Sequence, residues 1–191
     1  MKVIYLTGVP ASGKTTLLEH ISKSYSADFE CIMYGSLLLD VLKEQNLSMK
    51  NLRELSSQVI TQEAVRTADR RLRERIDSAH KHIILESHVI TSEKYGYRAI
   101  PFLPDQLKSF NIAHLITLYA SASEIVQRVD RNADGRPRQS RDDIAFMQSL
   151  QGSVATQYAF QLGIPAYFLN TGKCIEQVCS SFFDLIDYQA S

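Results

Sequence analysis

The chain has 191 residues, and its 21 Lys plus Arg are balanced by 21 Asp plus Glu, so it carries no net charge at neutral pH. That length fits one domain with an ordinary hydrophobic core. The charge balance provides no global field to draw the protein onto nucleic acid or an anionic membrane. Cys31, Cys174 and Cys179 are too few and too unevenly spaced for a disulfide framework or a zinc site.

In chain order, strand and helix signals alternate. The run "KVIYLT" is β-branched and ends in Gly8, as a buried strand does. "KTTLLEHISKSY" follows, with Leu17, Leu18 and Ile21 on one helical face. "ECIMYG" is the second strand, and "LLLDVLKEQ" reads as helix. From about Ser56 to Ala79, Val59, Ile60, Ala64, Leu72 and Ile76 recur at three- and four-residue steps. This spacing predicts one long helix of about 35 Å. "HIILES" is the third strand. "TSEKYGYRAIPFLP" reads as a loop, broken by Gly96, Pro101 and Pro104. "HLITLYA" is the fourth strand. "SASEIVQRVDR" opens a helix with Ser121 and Glu124 in a capping-box spacing. Helix resumes near Ser140 and runs to about Leu162. "PAYFLN" is the fifth strand, and "KCIEQVCSSFFDLI" is a closing amphipathic helix. Alternating strands and helices imply an α/β domain with a parallel sheet and helices on both faces. Ligands then bind beyond the carboxyl ends of the strands.

Gly8 to Thr15 reads G-x-x-x-x-G-K-T between a strand and a helix, the context in which this pattern cradles phosphate. Gly8 and Gly13 lack Cβ, so the backbone can turn its N–H groups toward an anion, and the helix start adds its positive dipole end. Lys14 is placed to reach the β- and γ-phosphates, and Thr15 to ligate Mg²⁺. Ala11 lies within the loop, and Ser12 and Thr16 are candidates for further phosphate contacts. The plainer reading is a glycine-rich turn beside an exposed lysine.

The other strand ends supply the remaining candidates. Glu86 closes the third strand, where P-loop proteins place an acid for Mg²⁺ or its water shell. It is otherwise a base, or a solvated carboxylate. His88 is a candidate for a substrate phosphate or base edge, or for a loop cap. Gly35 and Ser36 stand at a strand-to-helix junction, suited to an acceptor or to a turn and N-cap. Arg53 gains a role only if a second ligand is clamped opposite the phosphate loop. Tyr95, Tyr97 and Arg98 line a substrate or pack the loop down, and packing is favoured for the tyrosines.

Arg128, Arg131, Arg136, Arg138 and Arg141 crowd one stretch interrupted by Asp134, Gly135 and Pro137. A phosphoryl group in transfer spreads negative charge over its oxygens, and guanidinium groups stabilise that charge. A loop bearing them can also close and exclude water. The alternative is a solvated charge run paired with neighbouring aspartates.

With "LTGVPASGKTTL", "YGSLLLDV", "LREL", "ESH", "YRAIPFLP" and the arginine stretch in order, the chain resembles the archaeal-type adenylate kinases, within the P-loop nucleoside monophosphate kinases. The likeness runs over nearly the whole chain. It implies a P-loop NTPase three-layer fold, with a five-stranded parallel sheet and a mobile arginine-bearing lid at about 128–141. It implies an acceptor-binding helical region at about 35–80, all within one domain. Mg-ATP is the implied donor and AMP the first-choice acceptor. Gly8, Ala11, Ser12, Gly13, Lys14, Thr15, Thr16 and Asn170 fall on the ATP side. Gly35, Ser36, Arg53, Glu86, His88 and Arg98 fall on the acceptor side, and Lys14, Arg128, Arg136 and Arg138 are the implied catalytic groups. Thr15 and Glu86 are the implied Mg²⁺ ligands. Three features depart from the pattern: Glu86 stands where the family has aspartate, the 91–100 segment carries two tyrosines, and the lid is longer.

The expected activity is Mg-ATP plus a nucleoside monophosphate giving ADP and a nucleoside diphosphate. A phosphate acceptor needs no strong base, which suits a sequence without an obvious one. The alternatives are a P-loop kinase acting on an alcohol, with Glu86 as base, and a non-catalytic ATP-binding switch. Small nucleotides are the expected partners, with no stable nucleic-acid or membrane binding and with self-association open. No apolar run reaches bilayer length, and the stretch before Gly8 is too short for a secretory leader, so a cytoplasmic setting is expected.

Overall fold

The computed structural model describes residues 1–44, 61–93, 95–131 and 139–189. Five strands form one parallel sheet: β1 (Val3–Thr7), β2 (Phe29–Met33), β3 (His82–Glu86), β6 (Ile112–Tyr119) and β7 (Ala166–Asn170), in the order β2-β3-β1-β6-β7. β1 lies at the centre, with Tyr5 opposite Leu85 on one side and Leu115 on the other. Two-residue alternation divides the core into two layers. Val3 and Tyr5 face one layer with Leu85, Leu115, Met147 and Tyr158. Ile4 and Leu6 face the other with Leu17, Ile21, Phe182 and Phe183. The second layer is built by α1 (Lys14–Ser24) and α7 (Ile175–Leu185). The first is built by α4 (Pro104–Ser109), α5 (Ala122–Arg131) and α6 (Arg141–Leu162) together with α3 (Gln62–Asp77). α2 (Tyr34–Glu44) packs Val41 and Leu42 against Ala64 and Ala68 of α3. Alternating elements imply this parallel sheet with helices on both faces, and the resemblance implies its three-layer P-loop form. Among the described residues no helix is long and apolar enough to cross a membrane.

Three expectations are corrected. The 91–104 segment is not loop throughout: β4 (Ile90–Glu93) and β5 (Gly96–Ala99) pair as an antiparallel hairpin with Thr91 opposite Arg98, and Pro104 is the first residue of α4. Each strand is only four residues long and carries few apolar side chains, so periodicity gives no signal there. The long helix begins later than about Ser56. Thr61 is extended, and its side chain accepts from Ala64 N at 3.1 Å, which starts α3 at Gln62. Val59 and Ile60 lie outside the described residues. α5 has only the serine half of its capping box: Glu124 N donates to Ser121 Oγ at 3.2 Å, while the Glu124 carboxylate pairs with Arg128. The expected helix from Ser140 is present, with Ser140 and Asp143 capping each other and Gly163 closing the far end in a left-handed conformation.

Candidate nucleotide site

All five parallel strands end on one edge of the sheet, so the segments after β1, β2, β3, β6 and β7 converge there. The loop after β1 is built tightly. Gly8 has φ +149, and a Cβ on it would lie 2.6 Å from the Leu118 carbonyl oxygen. Gly13 has φ +95 and lies against Thr171. Ala11 also takes a positive φ, of 62°. Ser12 is fully buried and its Oγ has no hydrogen-bond partner among the described residues. A closed backbone cradle with an orphaned hydroxyl fits a phosphate ligand. Thr15 and Thr16 are exposed in the first turn of α1, open to an incoming anion and its metal.

Lys14 is buried, and its Nζ donates to Gly8 O at 2.7 Å and Val9 O at 3.0 Å. It also stands 3.8 Å from Glu86 Oε1, while His88 Nδ1 lies 2.8 Å from the same oxygen. Burial pushes the Glu86 carboxyl up, but His88 and Lys14 together outweigh it and hold it below its ordinary value. Glu86 is therefore held as a carboxylate beside Lys14. Among the described residues no cluster of three His, Cys, Asp or Glu side chains can hold a metal ion by itself. Thr15 and Glu86 would hold Mg²⁺ only together with the nucleotide's own oxygens.

Arg128 reaches the loop from α5. Its guanidinium donates to Ala11 O at 3.2 Å, Thr171 Oγ1 at 3.1 Å and Thr171 O at 2.7 Å, and it pairs with Glu124. Thr171 Oγ1 in turn donates to Ser12 O at 2.8 Å. Thr171, which the sequence reading missed, thus ties the end of β7 to the phosphate loop. Its neighbour Asn170 is exposed and accepts from Gly172 N through its side chain at 2.8 Å. Gln151 was also missed. It is buried on α6 and donates to Thr7 Oγ1 at 2.7 Å, while Thr7 donates to Ser87 O at 2.7 Å. A polar residue in the apolar stripe of α6, four after Met147 and four before Ala155, is the signal that marks it.

After β2, α2 starts directly at Tyr34, so Gly35 and Ser36 are exposed first-turn residues rather than a turn and cap. His88 is exposed just past β3. Arg98 pairs with Glu93 across the hairpin at 2.9 Å. Tyr97 packs its ring on Phe146 and donates to Asp143 O at 3.3 Å, whereas Tyr95 is exposed. Arg53, Arg136 and Arg138 lie outside the described residues, as do residues 132–138 of the expected lid; Arg131 ends α5 and Arg141 begins α6.

A family profile described as an AAA domain matches residues 7–145. The chain belongs to this family. The AAA-domain match spans the phosphate loop, the β3 end and the root of α6. Among curated relatives, the chain is 29% identical over 167 residues to an adenylate kinase of Methanothermobacter thermautotrophicus, covering 85% of this chain and 86% of that one. It is 22% identical over 191 residues to an adenylate kinase of Pyrococcus abyssi, covering 97% and 95%. These bear out the similarity to archaeal-type adenylate kinases read from the motifs. Among solved structures, a shikimate kinase from Acinetobacter baumannii superposes with a TM-score of 0.58 at 15% identity, covering 97% of this chain and 93% of that one. A gluconokinase from Sinorhizobium meliloti gives 0.53 at 12%, covering 97% and 91%. Both support the P-loop kinase fold and nothing finer.

Proposed function

We propose that the protein is a Mg-ATP-dependent phosphotransferase of the adenylate kinase kind, moving the γ-phosphoryl group of ATP to a nucleoside monophosphate, first of all AMP. The observation that carries this is the phosphate cradle with buried Lys14 beside Glu86, in a chain whose curated relatives are adenylate kinases. Gly8, Ala11, Ser12, Gly13, Thr15 and Thr16 hold the triphosphate through the loop and the start of α1, with Asn170 beside the base. Lys14 turns from the loop carbonyls to the β- and γ-oxygens. Arg128, with Arg136 and Arg138 from a lid at about 128–141, neutralises charge on the group in transfer. Thr15 and Glu86 would hold Mg²⁺, which when bound would supply Lewis-acid neutralisation of the phosphates. Residues at about 35–80, with Gly35, Ser36 and Arg53, receive the acceptor, and His88 and Arg98 face its phosphate.

The acceptor oxygen attacks the γ-phosphorus as the bond to the ADP oxygen breaks. A monophosphate oxygen is already anionic and gives up no proton. An alcohol would need one removed, and a carboxylate held below its ordinary pKa is a weak base. Glu86 therefore favours the phosphate acceptor over the alcohol. ADP formation with AMP, CMP, UMP, GMP and dAMP, each against Lys14→Ala, tests the reading. AMP should give the highest kcat/KM, and Lys14→Ala should lose turnover by at least a hundredfold. Equal ADP release with and without any acceptor, or an unchanged Lys14→Ala rate, would overturn it.

A further inference from the structure

Asp69 on α3 is buried, 3% exposed, in a helix whose other charged residues face solvent or the helix margins. Tyr34 Oη donates to its Oδ1 at 2.7 Å, and Gln106 Nε2 donates to its Oδ2. The other end of the Gln106 amide accepts from Leu103 N at 2.7 Å. One carboxylate thus joins the first residue of α2, the middle of α3 and the entry to α4. The Tyr34 ring stands edge-on against Phe102, 5.0 Å away, which fixes its second direction. Burial pushes the Asp69 carboxyl above its ordinary value despite these bonds and the nearby Arg73.

An aliphatic side chain would fill this place without burying a charge, and such replacements are often neutral or stabilising. What an aliphatic residue cannot do is aim Tyr34. Tyr34 immediately precedes Gly35 and Ser36, which are exposed in the first turn of α2 just past the end of β2. We propose that Asp69 is a positioning residue for the acceptor. Through Tyr34 it fixes the first turn of α2, and through Gln106 it ties that turn to the segment leading out of the β4–β5 hairpin. The inference rests on reading Gly35 and Ser36 as acceptor contacts.

The hydrogen-bond directions supply a specific test. Asp69→Asn keeps the shape but turns one acceptor into a donor, which either faces the Gln106 amide donor or turns to Tyr34 Oη and takes away the acceptor of its O–H. If Gln106 flips to meet it, Leu103 N loses its acceptor. Adding Gln106→Glu reverses the pair: the new carboxylate accepts from the asparagine amide and from Leu103 N, and all three bonds return with the net charge unchanged. For the acceptor turned over fastest, Asp69→Asn should raise its KM about tenfold, with kcat and the KM for ATP held within about twofold. The double variant should restore it. Tyr34→Phe, which loses only the hydroxyl, should raise the same KM and provides the readout if Asp69→Asn does not fold. A drop in melting temperature with an unchanged acceptor KM overturns the inference. So does an equal rise in both KM values, or a folded double variant that stays impaired. If the wild-type protein phosphorylates no acceptor, the reading of α2 fails first and the inference falls with it, a result distinct from a working kinase whose acceptor KM ignores Asp69.

Discussion

Replacing Gly8 by alanine should damage both the fold and the nucleotide site, whereas the same change at Gly35 should damage neither fold nor ATP binding. At Gly8 two effects add. A φ of +149 is one that L residues rarely adopt, a strain of about 1–3 kcal/mol. The new Cβ would also lie 2.6 Å from Leu118 O, a backbone atom of central strand β6 that cannot rotate aside, and overpacking of this kind costs roughly 1–3 kcal/mol. The second close contact, Ser12 Oγ at 2.6 Å, can turn away and is left out. The total is about 2–6 kcal/mol, a large share of the roughly 5–15 kcal/mol that holds a domain together. With a urea slope of about 2 kcal/mol/M, the unfolding midpoint should fall by about 1–3 M. Any relief of the clash must move the loop, so binding of a fluorescent ATP analogue should weaken as well. Gly35 sits in α2 with no atom within 4 Å of a built Cβ. Alanine there should stabilise by about 0.5–1 kcal/mol through helix propensity and raise only the acceptor KM. Urea titrations followed by circular dichroism, with analogue binding on the same samples, decide the matter. A Gly8→Ala protein with the wild-type midpoint and affinity would refute the packing argument.

Two further outcomes are expected. Glu86 has a folded pKa below its unfolded value, so its ionisation contributes stability that is present above pH 4.5 and lost as pH falls through the lower folded value. The stability of wild type relative to Glu86→Gln should accordingly decline as pH falls below 4.5, as read from urea midpoints at each pH. A difference that grows below pH 4.5 would mean that burial, not the His88 and Lys14 contacts, sets the group. Tyr158→Phe removes the hydroxyl that accepts from buried Phe102 N at 2.7 Å. It should cost about 1–3 kcal/mol in the same assay, because the aromatic packing on Tyr5 at 5.9 Å stays in place; a neutral effect would show that Phe102 N finds another acceptor.

What the sequence made legible follows from which signals are local. The strands of the main sheet are runs of β-branched and apolar residues with clear ends, and the phosphate loop is a fixed spacing between two such signals. Ser140 and Gly163 mark α6 by caps that need no tertiary partner. The β4–β5 hairpin was missed because its stability comes from packing Tyr97 on α6, some fifty residues away, and not from its own pattern. Asp69 was missed because "ADRRLRERID" reads as a solvated charged face. Only the apolar stripe Ala64, Ala68, Leu72, Ile76 beside it shows that position 69 borders the core. Arg128 was singled out for its charge, but its three carbonyl and hydroxyl acceptors lie on Ala11 and Thr171, which only the folded sheet brings near.

Those contacts bear on how the site meets its ligand. The positive φ of Ala11 is held by Arg128 on its carbonyl, the Ser12 carbonyl is held by Thr171, and Thr7 at the loop's entrance is held by Gln151. The cradle is therefore fixed from β7, α5 and α6 before any phosphate arrives, and its backbone has little ordering left to do. Lys14 is the group that must move, since its ammonium is bonded to Gly8 O and Val9 O. Exchanging two neutral carbonyls for phosphate oxygens is favourable, because it sets the ammonium against opposite charge in a site screened less than bulk water. The exchange also loosens the carbonyl of Gly8, the residue with no room for a side chain. Ligand binding and a side chain at Gly8 should therefore act on the same stretch of backbone, the one that Lys14 holds by Gly8 O and Val9 O.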